Sequence, residues 1–587
     1  MAFNRYYQSE LSALRQLGRR FSERNPALAP FLADAGQDPD VERLLEGFAF
    51  LTGRLRQKLD DELPELSHSL MQLLWPNYMR PLPAFSILQF DPLKHAGPGV
   101  EVARDTAVES VVVKGARCRF RTCYSTRVLP LQIGALDYMA RGERGLLSLR
   151  LDMSAEGDFS MLVVDALRLH LAGDRYISQG LYLSLLRHLE GIELLPLDAD
   201  GVPLNGGDGQ PTVLRLRPEQ VQPVGFAEDQ ALIPYPQNTF RGYRHLQEYF
   251  VFPEKYLFVD IDGLEGVHAL PTHVLKATRS LLLRFDLDIR GHAPQPPTLD
   301  NVKLYCTPIV NLFQHDAVPI RLDARQDEYL LLPGEYAPGH ASVFSVDTVT
   351  GWRPGGLGYQ AYVPFESFEH EGNAASYTVR QRASAQHDGL DTWLVVGHGH
   401  EQETLSVELT CTHHNLPRQL QVGDIRQACE QTPEFVTFRN ISVPTPSFAP
   451  PLDQDFLWKL ISHMSLNYLS LTDINALKVV LETYDLPRYH DRQAQKVSRR
   501  RLDALRSIRH EAVDRLHHGL PLRGLRVDLC IEPQGFLGHG EVFVFASVLN
   551  EFFALYASLN SYHELRVIST QGDVYLWPPR MGQQPLL

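Results

Sequence analysis

The chain has 587 residues, 44% of them apolar, and its 70 Asp+Glu against 56 Lys+Arg leave a net charge of −14. That apolar content is ample for packed cores and argues against disorder, and the length implies about four domains. An acidic surface argues against nucleic acid or anionic lipid as the main partner, because both demand clustered positive charge.

Residues 1–85 read as three helices. The first carries Tyr7, Leu11, Leu14, Gly18 and Phe21 on one face, and the third carries Leu66, Leu70, Leu73 and Leu74. Between them lies 38–66, DPDVERLLEGFAFLTGRLRQKLDDELPEL, the most informative segment of the chain. Asp38 stands where an N-cap belongs, Pro39 suits the first helical turn, and Pro64 stops the helix. Val41, Leu44, Leu45, Phe48, Leu51, Leu55 and Leu59 fall on one stripe at three- and four-residue steps, predicted to pack within the chain. Phe50 projects from the opposite face, among Arg43, Glu46, Arg54 and Gln57. A large apolar group on a charged face implies a second surface over it, either the chain's own next domain or another subunit. No catalytic group is set up there.

From 86 to 445 the period changes to two. Leu167, Leu169 and Leu171 alternate with Arg168 and His170; Leu283, Phe285, Leu287 and Ile289 alternate with charged residues; Leu405, Val407, Leu409 and Cys411 alternate with polar ones. Such strands are buried on one face, as in antiparallel sheets. LNGGDGQP (204–211), HAPQPP (292–297) and WRPGGLG (352–358) mark loops or seams, and PTPSFAPP (444–451) reads as the clearest linker. After it, Phe456, Leu457, Leu460, Ile461, Met464, Tyr468 and Leu471 share a helical face. Residues 542–559 are apolar nearly all round, which implies a helix enclosed on every side. LRVDLCI (525–531) and the strands around Gly572 predict a small sheet beside it.

The predicted class is therefore a multidomain α+β protein: a helical N-terminal region (1–85), two β-rich antiparallel domains (86–250 and 251–445) and an α+β C-terminal domain (446–587). The six cysteines are too sparse for a disulfide framework. MAFNRYYQSE has no basic region leading into an apolar core, and no run reaches the ~18–20 apolar residues of a membrane span. A reducing cytoplasm fits best.

Chemistry leaves little trace. The chain lacks G-x-S-x-G, a Walker-type G-x-x-x-x-G-K, H-E-x-x-H and C-x-x-C. His510, Asp514 and His517 would share a face as a metal-binding set if their segment were helical, but not if it were extended. His413–His414 diverge at a strand end, GHGHE (397–401) reads as a surface turn, and Gly355, Gly356 and Gly358 lack dinucleotide-loop spacing. Cys411, on the apolar face of its strand, reads as a small buried hydrophobe. Lys496, Arg499, Arg500, Arg501, Arg506 and Arg509 form a local basic cluster, read as a solvated element or a docking site for an acidic partner. YRHLQEYFVFPEKYLFVD concentrates Tyr243, Tyr249, Phe250, Phe252, Tyr256 and Phe258, as a core hinge or a partner surface. No cofactor and no catalytic residue are expected.

Several blocks in fixed order resemble one family. They are YYQSELSALRQLGRRFSERNPALA (6–29), DPDVERLLEGFAFLTGR (38–54), LWPNYMRPLP (74–83), FRTCY (120–124), YRHLQEYFVFPEKYLF (243–258), CTPIVNLF (306–313), LWKLISHMSLNYLSL (457–471) and VFASVLNEFFALYASLNSY (544–562). Together they resemble the TssF (VasA/ImpG) family of type VI secretion baseplate subunits across essentially the whole chain. At Cys411 the chain reads CTHHNLP where the family pattern calls for an Asn-Arg pair before Leu-Pro, so no role is carried over to that loop. The resemblance implies a non-enzymatic structural subunit. Its implied partners are a second copy of itself, a TssG-like chain, TssK-like adaptors, and TssE-like and VgrG-like baseplate components. It also implies a cytoplasmic baseplate docked to an inner-membrane complex. Candidate protein-interface residues are Arg43, Glu46, Phe50 and Arg54, with Tyr249, Phe250, Asn311 and Phe313 from two other blocks. A wedge protein of a related phage or prophage tail is the alternative of like mechanics, and a metal-dependent enzyme the distant one.

Overall fold

The computed structural model describes residues 7, 11–12, 14, 40, 43–54, 71–72, 75–205, 210–235, 242–291, 294–322, 326–337, 339–353, 358–365, 375–384, 389–397, 403–450, 459–460, 462, 471–517, 520–558 and 561–582. The chain divides into two units. One comprises Met1–Met79 with Leu452–Ile461, and the other Arg80–Pro451 with Ser462–Leu587.

In the first unit, 43–54 is helical as the sequence predicts. The face it buries is not the predicted one. Leu44, Phe48 and Leu51 are 74%, 56% and 62% exposed, whereas Ala49 and Gly53 are buried and Leu45 is half-buried. At 3.6 residues per turn the buried arc lies about a quarter turn from the stripe. Small side chains at Ala49 and Gly53 let other parts of a chain approach the helix backbone, which rotates the bulkier stripe outward. Trp75 and Tyr78 are buried, with rings 5.8 Å apart edge to face. Most of the predicted first helix, and Leu66, Leu70, Leu73 and Leu74 of the third, lie outside the described residues. So does most of 456–471, of which Leu460 and Leu471 are described and buried.

The second unit is built largely from antiparallel sheets. A six-stranded sheet runs Ile425–Ala428, Ala107–Val113, Ala116–Thr122, Cys306–Val310, Phe85–Phe90, Phe438–Asn440. A five-stranded sheet runs Leu214–Leu216, Leu189–Leu197, Ser280–Asp288, Arg144–Met153, Leu131–Arg141. In Ser280–Asp288 burial alternates strictly, Leu281, Leu283, Phe285 and Leu287 inward, as its period-two pattern demands. Strands on both sides of the anticipated boundary at 250/251 pair within these two sheets. A four-stranded sheet includes Ala166–Leu171, where His170 departs from the alternation. Its ring is buried and stacks on Phe258 at 4.3 Å. An eight-stranded sheet is contained wholly between Phe313 and Thr412, and Leu405, Val407, Leu409 and Cys411 line its core. Burial pushes the Cys411 thiol up to about 12, so it stays protonated.

The segment read as a linker is docked. Thr445 N–H donates to the Phe85 carbonyl at 2.8 Å, and Phe448 and Leu82 exchange backbone bonds at 2.8 and 3.0 Å. Its prolines break regular structure without freeing the chain.

Towards the C-terminus come helices Ile474–Tyr484, Arg492–Ala504 and His539–Ala554. Asp473 and Asp491 cap the first two through backbone N–H groups, the role short acidic side chains fill at helix starts. Arg492–Ala504 leads directly into strand Leu505–His517, which pairs with Leu520–Ile531. That strand pairs in parallel with Tyr562–Ser569 across His539–Ala554, a βαβ crossover. Half of the basic cluster is tied down: Arg501 pairs with buried Glu541, Arg506 with Glu532, and Arg500 donates to the Gln534 carbonyl.

His539–Ala554 is enclosed as its all-round apolarity requires. It packs closely on helix Arg175–Arg187, and a Cβ at Gly540 would sit 2.5 Å from the Gln179 carbonyl group. Gly540→Ala is therefore expected to force these helices apart and cost about 1–3 kcal/mol. Chemical denaturation of the full chain checks this.

Candidate functional site

The candidate surface is the 43–54 helix. Leu44, Phe48 and Leu51 occupy successive turns of one face, while Phe50, 47% exposed, stands on another with exposed Arg43, Glu46 and Arg54. Exposed large apolar groups gathered on one helix, rimmed by charge, are the composition of a protein–protein contact. The sequence located the helix but assigned the stripe inward. The missed signal was the small pair Ala49 and Gly53, spaced for one face.

The other four candidate residues lie elsewhere, in the second unit, and the chain itself encloses three of them. Tyr249 is buried on helix Arg244–Val251, its ring 5.5 Å from Phe545. Phe250 beside it is half-buried. Tyr243 stacks on Tyr484 at 4.4 Å and Tyr256 is fully buried, so the aromatic block forms core where sheets meet the C-terminal helices. Helical spacing aims these rings at several neighbours at once, which a surface patch would not need.

A polar network runs beneath that block. Lys255 and Glu248 form an ion pair with side chains 0% and 1% exposed. Glu248 accepts from Leu232 N–H at 2.9 Å, and Lys255 donates to the Gln230 carbonyl at 3.1 Å. Arg244 donates to the Phe226 and Ala227 carbonyls at 3.1 and 3.2 Å. Tyr124 donates to the Lys255 carbonyl at 3.2 Å. Burial drives the Lys255 ammonium down to about 8, against the opposing pull of Glu248. With Lys255 and Glu248 each meeting the other, the network fastens the 226–232 loop to the helix. Its Arg244 end, with Phe226, Ala227 and Gln230, lines a cavity of about 550 Å³.

Asn311 and Phe313 form a second buried joint. Asn311 Oδ1 accepts from His413 N–H at 2.8 Å and Thr412 Oγ1 at 2.9 Å; its Nδ2 donates to the Arg119 carbonyl at 2.6 Å and His413 Nδ1 at 3.0 Å. All four capacities of the amide are used. Phe313 stacks on the His413 ring at 4.3 Å. The loop that departs from the family pattern thus supplies the partner of Asn311, and His414 turns the chain there with φ +48°. Asn311 and Phe313 join the six- and eight-stranded sheets and present no docking surface, because the chain's own residues occupy their contacts.

His510 and Asp514 lie on a strand, so the helical spacing that would have joined them with His517 is absent. Among the described residues no group of three His, Cys, Asp or Glu gathers to hold a metal. Gly355, Gly356 and most of GHGHE lie outside the described residues. Among the described residues, no helix is long and apolar enough to cross a membrane.

Two consequences are measurable. Lys255→Met leaves Glu248 buried and uncompensated, an expected loss of about 3–5 kcal/mol in denaturant unfolding. Adding Glu248→Gln removes the stranded charge and is expected to recover part of it. Burial also lowers His413 and His563 from 6.5 to about 3, and His170 to about 4. These imidazoles stay neutral in the folded chain, so the unfolded chain takes up protons first. Stability is full above the unfolded value and falls as pH drops below it, by about 1.4 kcal/mol per group per pH unit. Melting temperature is expected to fall from pH 7.5 to 5.5, with a shallower slope in His563→Phe.

Comparison with known proteins gives this architecture a family. The profile described as "T6SS_TssF: Type VI secretion system, TssF" matches residues 1–584. The type VI secretion system component TssF1 of Pseudomonas aeruginosa is 28% identical, with 99% of each chain covered. A chain of a cryo-electron-microscopy structure described as the type VI secretion system TssK-TssF-TssG baseplate subcomplex is 32% identical, with a TM-score of 0.74 over 93% of this chain and 100% of that one. A chain in a structure of the type VI secretion baseplate complex is 27% identical, with a TM-score of 0.58 and full coverage of both chains. With the family model matched over residues 1–584, this chain belongs to the TssF family of type VI secretion baseplate components.

Proposed function

We propose that this chain is a non-enzymatic wedge subunit of the type VI secretion baseplate. Two copies join one TssG-like chain, bind TssK-like adaptors, and surround a VgrG-like spike hub with TssE-like components nearby. The baseplate sits on the cytoplasmic side, docked to the inner-membrane secretion complex, and supports assembly of the contractile sheath and tube. The observation that carries this reading is the apolar face of Leu44, Phe48 and Leu51, uncovered in the single chain. Such a face on a helix is stable in water only at a cost that burial against other helices removes. A relative found with TssK and TssG supports the same partners.

The mechanism is mechanical. Wedges hold a closed arrangement before firing and repack when the sheath contracts, which demands interfaces with two alternative packings. Buried joints such as Lys255–Glu248 and Asn311–His413 keep each subunit stiff while its contacts change.

Co-expression with TssG-like and TssK-like partners, affinity purification and native mass spectrometry test the reading. The expected product carries two copies of this chain per TssG-like chain. Phe48→Asp with Leu51→Asp is expected to abolish capture of the TssG-like chain while shifting the isolated chain's stability by no more than ~0.5 kcal/mol, as exposed sites allow. Phe50→Asp is expected to weaken assembly with the fold intact. A wild-type chain that ignores both partners would overturn the proposal.

A further inference from the structure

The hairpin made by Leu505–His517 and Leu520–Ile531 outgrows its sheet. Its strands pair from Leu505–Ile531 to His517–Leu520, but Tyr562–Ser569 pairs only with Leu525–Ile531. Beyond Leu525 the hairpin is a two-stranded ribbon, and Leu505–His517 is the sheet's outer strand. Arg509, His510, Glu511, Ala512, Asp514 and Arg515 are all exposed, and Leu516 is 79% exposed. Leu505 is buried and Ile508 and Val513 are half-buried, so the strand is anchored at its start, while beyond Ala512 both faces largely meet solvent.

A two-stranded ribbon is marginal in water, and a long open edge is a template for another strand. This strand carries no proline, and its charges (Arg506, Arg509, Glu511, Asp514, Arg515) are of both signs, so they discourage indiscriminate pairing while permitting a partner of matching charge. The ribbon is nonetheless held in place at its base. Tyr562 donates to the Val513 carbonyl at 2.8 Å, and its ring lies where a Cβ on Gly524 would be, 2.5 Å away. Arg515 bonds to Glu564 at 2.9 Å. These contacts fix the face that carries Val513 and Arg515, leaving the edge and, on the other face, His510, Ala512 and Asp514 exposed, with Ile508 half-buried beside them.

We infer that this edge pairs with the same strand of a second copy, antiparallel about a two-fold axis at Ala512. In that register Ile508 lies opposite Leu516, His510 opposite Asp514, and Ala512 opposite Ala512 of the copy. The exposed leucine gains an apolar neighbour and each carboxylate faces an imidazole. Arg509 falls opposite Arg515, which pairs with Glu564, a carboxylate it shares with Arg526. The pairing deepens the assembly reading above by naming a surface through which two copies meet. It is separable from that reading, because helix 43–54 variants report on capture of the TssG-like chain and ribbon variants report on self-contact.

The test uses Ala512→Cys in the full chain. Directly opposed residues of antiparallel strands have Cβ atoms about 4.5–5.5 Å apart, near disulfide reach. Mild oxidation is expected to give a reducible homodimer absent from the wild type, whose Cys429 and Cys530 are only half-buried and serve as the background control. Asp514→Arg is expected to weaken self-association in sedimentation roughly tenfold, because each symmetric pair then loses its carboxylate acceptor and sets a guanidinium donor against the imidazole. Adding His510→Asp to it is expected to restore association. All three substitutions sit at exposed positions, and circular dichroism confirms the fold. An Ala512→Cys chain that self-associates without cross-linking, or a charge swap that restores nothing, would overturn the inference. So would an edge protected from cross-linking only when a TssG-like or TssK-like chain is bound.

Discussion

A lysine ammonium and a glutamate carboxylate sealed from water are tolerable only while each has the other, and Lys255 and Glu248 sit in this chain on those terms. Around them the backbone has little choice. The 226–232 loop must offer carbonyls to Lys255 and Arg244 and an N–H to Glu248, and Tyr124 must reach across to the Lys255 carbonyl. The helix carrying Glu248 then aims Tyr249 at the C-terminal helix His539–Ala554. One desolvated pair thereby sets the angle between β-rich and helical parts of the second unit. Hydrophobic packing alone would permit sliding there; an unmatched charge would not.

Much of this was legible because burial leaves a period. Alternation in Ser280–Asp288 and through Cys411 in Thr404–Thr412, and apolarity all round His539–Ala554, read directly as one-faced strands and an enclosed helix. What stayed hidden depends on partners remote in sequence. Apolarity marks Leu44, Phe48 and Leu51 as groups that favour burial, yet Ala49 and Gly53 decide which face the chain covers. The aromatics of the 243–258 block carry the same composition whether they fill a core or a contact, and only their neighbours on other helices decide between the two. Nothing local in PTPSFAPP announces that it will run beside Phe85. Asn311 could not be placed without knowing that His413 would meet it.

The two kinds of site divide the labour. Joints such as Asn311–His413 turn the whole amide of Asn311 inward and hold sheets rigidly together. The 43–54 helix and the 505–517 edge do the opposite, keeping apolar side chains or backbone groups turned outward. A subunit of a machine that must repack needs both: stiffness within the body and unfinished surfaces at its margins.

Strand Phe85–Phe90 has a further consequence, for biosynthesis. It lies between Cys306–Val310 and Phe438–Asn440, and Phe85 N–H bonds to the Thr445 hydroxyl 360 residues away. At ribosomal rates of about 5–20 residues per second, the strand waits on the order of tens of seconds for its last neighbour. No nascent chain short of that neighbour can close the six-stranded sheet. A ribosome that stops before that strand therefore releases a chain with open β-edges, a substrate for chaperones and proteases, and only chains that run past Asn440 can complete this sheet.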